Sequence, residues 1–181
     1  MGDVRKATIE ETDSVIAFYH RIIDDMKGTD FDVLWKKDIH PSDDEIREAV
    51  ANGNLYVLKV ETPETATFNS IAAALIMNNE EAPGYENVAW EVQAKPGEYQ
   101  VLHVVATLAA LHGQGLGTRL IGGTLEYAKA ADLKAVRLDT FMHNKRGKGL
   151  YEKMGFYPVG DYEITYSDLG QVMLSMYEYA L

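Results

Sequence analysis

The sequence predicts an α/β fold of seven strands and four helices, and three observations carry that expectation. Apolar residues recur every three to four positions in some segments and alternate with polar ones in others, so helix and strand periods succeed one another along the chain. Two Ser/Thr-x-x-Glu boxes mark helix starts. A glycine-rich turn, His112-Gly113-Gln114-Gly115-Leu116-Gly117, joins a strand-like apolar run to a helix-like segment.

Val4 to Ala7 reads as a short strand, and Thr8 with Glu11 forms the first capping box. Val15, Tyr19, Ile22, Ile23 and Met26 then repeat at helical spacing until Gly28. Ser42 with Glu45 opens a second helix through Ile46, Ala49 and Val50, stopped by Asn52-Gly53. Leu55 to Val60 and Ile71 to Met77 read as paired strands, and the unbroken apolar run of the second implies cover on both faces. The polar stretch from Asn78 to Tyr99 is longer than a tight hairpin requires and reads as a loop over a site or an extended arm. Val101 to Thr107 is the next strand, followed by a helix from Gly115 to Ala131. Gly122-Gly123 in that helix implies close packing, since glycine inside a helix costs about 1 kcal/mol relative to alanine. Ala135 to Phe141 alternates as a strand, Lys145 to Met154 is a helix, and the alternations at Tyr162, Ile164, Tyr166 and at Val172, Leu174, Met176 close the chain with two strands.

A length of 181 residues suits one domain spanning 1–181, and 46% hydrophobic residues place the chain among globular proteins. With 17 basic against 28 acidic residues, the net charge of −11 disfavours nucleic acid and anionic membrane; it offers a field suited to a cation, and it is equally the surface of a chain kept soluble by its charge. No cysteine is present, so disulfides, thiolate metal sites and a thiol nucleophile are all excluded. Met1 to Lys6 has no apolar leader-like run, and no stretch approaches the length of a membrane span. These features lead us to expect a cytoplasmic protein. The five histidines show no i, i+4 pair of the helical metal-site kind, and no metal is expected.

The glycine turn is built for an anion, because little side-chain bulk keeps a phosphate from the free amides at the start of the following helix. It is not a P-loop, which needs lysine and then Ser or Thr after the last glycine: Gly117 is followed by Thr118 and Arg119. It is not the dinucleotide fingerprint either, since Thr118 and Leu120 stand where the third glycine belongs. A second block, Asn144 to Phe156, reads NKRGKGLYEKMGF. The two blocks, in this order and with a helix and a strand between them, resemble the GCN5-related N-acetyltransferase superfamily. Its first signature, Arg/Gln-x-x-Gly-x-Gly/Ala, is met at Gly115 and Gly117. Its second, Asn-x-x-Ala-x-x-Leu-Tyr-x-x-x-Gly-Phe, is met at Asn144, Leu150, Tyr151, Gly155 and Phe156. His112 stands where the family usually has Arg or Gln, and Gly147 where it usually has Ala. The close match runs from about Leu102 to Phe156.

The resemblance implies a mixed, largely antiparallel sheet and acetyl-coenzyme A as acyl donor. It implies that Val105, Ala106 and Thr107 splay from the next strand and offer backbone groups to the pantetheine arm. The amides of His112, Gly113, Gln114, Gly115, Leu116, Gly117 and Thr118 would then hold the pyrophosphate. Asn144 matches a contact to the cofactor arm, although Asn ahead of a helix is also an N-cap. Tyr151 matches the general acid that protonates the departing thiolate, with a core aromatic as the other reading. The base for the amine stays open among His103, Glu98, Glu91 and a chain of waters. Trp35, Tyr85 and Trp90 fall in segments that line the acceptor side in the family, where aromatics suit a cation, with core or lid packing as the other reading.

The expected function is thus direct acetyl transfer to a primary amine, carried by a small molecule or a peptide, in a chain that can form a homodimer. A non-catalytic acyl-coenzyme A sensor of the same fold is the alternative.

Overall fold

The computed structural model describes residues 4–167 and 169–181; Met1 to Asp3, where the leader-free start was read, lie outside them. Along the chain come β1 (Arg5–Lys6), α1 (Thr12–Met26), α2 (Asp43–Ala51), β2 (Leu55–Lys59), β3 (Ile71–Asn78) and β4 (Tyr99–Thr107). Then follow α3 (Leu116–Ala130), β5 (Ala135–Phe141), α4 (Lys145–Lys153), β6 (Tyr157–Tyr166) and β7 (Gly170–Ala180). The strands make a seven-stranded mixed sheet in the order β1-β2-β3-β4-β5-β7-β6, flanked by helices. β4 with β5 is a parallel pair, whereas β1–β2, β2–β3, β5–β7 and β6–β7 are antiparallel. Every expected strand and helix is present in the expected order. Most bounds shift by one or two residues, as at β4, which starts at Tyr99 rather than Val101, but β6 starts five residues before Tyr162, β7 runs four residues past Met176, and α1 starts only at Thr12.

Two compact units can be distinguished, and the chain passes between them at three places: at the end of β3 after Met77, inside β4 between His103 and Val104, and inside α3 between Thr124 and Leu125. The first holds the described residues through Met77 together with Val104–Thr124. Its core is the apolar face of α1, with Val15, Phe18, Tyr19 and Ile23 fully buried, together with Ile46 of α2 and the strands β2 and β3. β3 is buried on both faces from Ile71 to Met77, as its unbroken apolar run implied. The Ser42 box forms as read: Ser42 Oγ accepts from the Glu45 amide at 3.1 Å while a Glu45 carboxylate oxygen accepts from the Ser42 amide. The Thr8 box opens a single 3₁₀ turn, Ile9–Glu11, before α1 begins. Gly123 explains its own presence, because a Cβ there would stand 2.5 Å from Cβ of Val4.

The second unit comprises Asn78–His103 and Leu125–Leu181. Its core gathers Tyr85, Val88, Tyr99, Val101, Ala135, Ile164, Leu174 and Met176. The long stretch before β4 is a loop with one 3₁₀ turn at Tyr85–Asn87, and its fixed points are polar. The Glu178 carboxylate, wholly buried, accepts from the amides of Glu91 and Val92, each at 3.0 Å, and from the Tyr157 hydroxyl at 2.9 Å. Arg137 donates to the same carboxylate at 3.0 Å and to the Val92 carbonyl at 3.2 Å. Its guanidinium lies 4.4 Å from the Trp90 ring centre and 3.9 Å from that of Tyr99.

Candidate functional site

In the first unit, the glycine turn leads from β4 into α3. Residues His112 to Gly115 are exposed and Leu116 is buried, so the turn presents its backbone outward while the helix anchors in the core. Gly113 has φ 80 and Gly115 φ 75, and a Cβ at either would meet nothing within 4 Å. Glycine is therefore required there by conformation rather than by crowding. The Arg119 amide bonds to the Gly115 carbonyl at 3.0 Å as α3 takes up its helical pattern, so the amides of the first helical turn fall among the donors of a helix start, whereas the His112 amide, expected to face the anion, is spent on the Ala109 carbonyl at 3.1 Å. His112 turns back on its own strand: its Nε2 lies 3.2 Å from the Thr107 carbonyl oxygen, and its ring meets Phe31 edge-on at 5.3 Å. Val104, just ahead of Val105–Thr107, has φ 46, and its carbonyl accepts from the buried Tyr19 hydroxyl at 3.0 Å. Trp35 is partly buried with its ring centre 6.3 Å from that of Tyr19 and 6.4 Å from His40.

His20, Asp38 and Asp43 form a grouping that no spacing announced, with their ligand atoms within 4.8 Å of one another. His20 Nε2 and Asp43 Oδ1 pair at 2.8 Å.

In the second unit, the ladder between β4 and β5 pairs Tyr99 with Ala135 through Leu102 with Leu138 and ends there, although β4 continues to Thr107 and β5 to Phe141. His103, partly buried, is the first β4 residue past the last pair, and Asp139 is the first on β5. Asp139 accepts from the Tyr85 hydroxyl at 2.8 Å. Tyr85 is buried, and burial, then the charge of Asp139, pushes its phenol well above the ordinary range. Trp90 donates from its indole nitrogen to the Tyr85 carbonyl at 3.1 Å, so two of the three aromatics that the resemblance placed on the acceptor side are also packing elements. Of the other base candidates, Glu98 is bound by Lys134 at 2.8 Å, which lowers its pKa and weakens it as a base. Glu91 is exposed and is used through its backbone amide.

Asn144 caps α4. Its Oδ1 accepts from the Gly147 amide at 2.9 Å and its Nδ2 donates to Thr140 at 2.9 Å. A Cβ at position 147 would clash with that same Asn144 amide group, so Gly147 and this cap geometry belong together. Further along α4, Lys148 donates to Ser175 at 3.1 Å and Glu152 accepts from the Tyr177 hydroxyl at 2.7 Å, which ties the helix to β7 at two points. Tyr151 lies between them, packed against Phe156 and Tyr177 at 6.2 and 6.1 Å between ring centres. Burial, then the charges of Asp139 and Tyr177, push its phenol far above the ordinary range, so it stays protonated.

A model of the acetyltransferase (GNAT) family matches residues 40–156, and the chain belongs to that family. No curated protein sequence matches it. Among solved structures, a GNAT-family acetyltransferase from Streptococcus agalactiae aligns with a TM-score of 0.78 at 17% identity, covering 99% of this chain and 95% of that one. An N-acetyltransferase from Staphylococcus aureus aligns at 0.66 and 17% identity, over 99% and 98%. Arabidopsis thaliana NAA60 in complex with acetyl-CoA aligns at 0.71 and 12% identity, over the whole of both chains. At these identities the likeness is one of fold. No helix among the described residues is long and apolar enough to cross a membrane.

Proposed function

We propose that the chain is an N-acetyltransferase that moves acetyl from acetyl-coenzyme A directly to a primary amine in a ternary complex. The observation that carries this reading is the exposed turn at Gly113 and Gly115, whose positive φ angles aim backbone amides outward at the start of α3. Its amides take the pyrophosphate. The amine nitrogen attacks the thioester carbonyl carbon, the carbon–sulfur bond breaks, and the thiolate takes a proton from the Tyr151 hydroxyl. Burial that keeps this phenol neutral also raises the proton affinity of a sulfur leaving in the same surroundings. The amine proton leaves to His103, to Glu91 or Glu98, or to water. With no cysteine in the chain, no acyl-thiol intermediate forms on the protein. The acceptor is a small-molecule or peptidyl amine, suited to the net charge of −11; the setting is cytoplasmic, with neither nucleic acid nor membrane as partner and a homodimer compatible.

At a hundredfold excess over its dissociation constant, acetyl-coenzyme A stabilises the fold by about 2.7 kcal/mol, while ATP and NAD leave the melting temperature unchanged. Equal shifts with all three, or none with the coenzyme, reject the reading. Tyr151→Phe lowers kcat by roughly 10²- to 10⁴-fold, with acetyl-coenzyme A affinity little changed. A wild-type protein that binds the coenzyme but releases no thiol across a broad amine panel is instead a sensor.

A further inference from the structure

Val104 adopts a backbone conformation that β-branched residues avoid, with φ 46 inside an otherwise regular strand. A glycine would take that angle freely and give it up as freely; a valine keeps it only where its surroundings hold it. The holding group is visible. Tyr19 of α1 donates its hydroxyl to the Val104 carbonyl at 3.0 Å, across 85 residues of sequence. The Tyr19 side chain is wholly buried, and its ring is fixed by Phe18 edge-on at 5.3 Å and by Trp35 at 6.3 Å, so the hydroxyl has one place to be. Burial keeps the phenol protonated, and it therefore remains a donor at any ordinary pH.

We infer that Tyr19 is a positioning residue: its hydroxyl holds the Val104 peptide in the left-handed conformation and thereby sets the direction of the backbone groups of Val105, Ala106 and Thr107. This inference rests on the acetyl-coenzyme A reading, in which those three residues offer their N–H and C=O groups to the amides of the pantetheine arm. The positive φ occurs two residues after the last β4–β5 ladder pair, where pairing with β5 has already stopped. A left-handed residue at such a point re-aims the backbone groups that follow it.

Tyr19→Phe keeps the ring and removes the clamp. It weakens acetyl-coenzyme A binding, read by calorimetry, about tenfold, because a buried carbonyl loses its donor and the strand relaxes. In a Val104→Gly background, where φ above zero needs no holding, the same Tyr19→Phe change weakens binding less than about threefold. Equal losses in both backgrounds, or no loss in either, overturn the inference. Amide hydrogen exchange of the ligand-free protein separates this test from the functional reading: Tyr19→Phe speeds exchange at Val105–Thr107 while α2 is unaffected. Unchanged exchange there overturns the clamp, and wild-type protein that fails to bind acetyl-coenzyme A overturns both the reading and the purpose assigned to Tyr19.

Discussion

Each of the two units is organised around a buried carboxylate, and the two carboxylates are served by different kinds of partner. In the first, Glu11 is 5% exposed and accepts from Arg5 at 2.7 and 2.8 Å, Lys59 at 3.0 Å, Asn69 at 3.3 Å and the Thr8 amide at 3.1 Å. Its two cations remain in touch with water, with side chains 39% and 28% exposed. In the second, Glu178 is wholly buried and Arg137 only 4% exposed, and the guanidinium is enclosed by Trp90 and Tyr99. An ion pair with wet cations trades little solvation for its attraction, whereas one sealed from water depends on every remaining hydrogen bond being met. Glu178 meets that condition by binding the backbone of the loop ahead of β4, so the sealed pair also fixes a loop.

The largest expected effect breaks the sealed pair. Glu178→Ala leaves a buried guanidinium and two loop amides without their acceptor, and we expect a loss of about 3–5 kcal/mol in urea-unfolding stability. A loss below about 1 kcal/mol would mean that water enters and replaces the carboxylate.

The next effect depends on pH. Hydrogen bonds from Arg5 chiefly, aided by Thr8 and Lys59 against the opposing cost of burial, hold the Glu11 carboxyl down to about 2 from an ordinary 4.5. A carboxyl with a folded pKa below its unfolded value contributes stability that is full above about pH 4.5 and fades as the pH falls toward 2. Unfolding curves of wild type and Glu11→Gln should differ by about 2–3 kcal/mol at pH 6 and converge between pH 4.5 and 2. A difference that does not change with pH would show that shape, not charge, is what Glu11 supplies.

The smallest effect sharpens the contrast in enclosure. Trp90→Leu removes one aromatic wall from Arg137 and should cost about 1 kcal/mol. Raising salt to 1 M should erode the Glu11 contribution, where the cations are wet, and leave that of Glu178 nearly intact. Equal salt sensitivity at both carboxylates would erase the distinction.

The element order was legible throughout, because periodicity and capping are local: Ser42 with Glu45 stops being helix-neutral only when the two are three residues apart. The turn at Gly113 and Gly115 was legible for the same reason, since a left-handed angle favours glycine wherever nothing nearby holds another residue in it. The Tyr19–Val104 bond was not, because neither residue type signals anything alone and they lie 85 positions apart. Asp139 went unremarked as the polar half of a strand alternation, and its bond from Tyr85 and its charge near Tyr151 set it apart. Gly147 looked like a neutral departure from a family pattern until Asn144 was seen folded against it.

By itself, then, the sequence determined which segments are strands and helices, where a glycine turn opens a helix, and the family to which those features belong. These follow from interactions between residues a few positions apart, which composition and spacing encode directly. Only the tertiary structure decided which carboxylates are sealed from water, which phenol is buried deeply enough to stay protonated and which valine is held in a glycine's conformation. Those are matters of burial and of partners brought from distant positions. Desolvation and hydrogen bonding act on what is near in space, whatever its place in the chain.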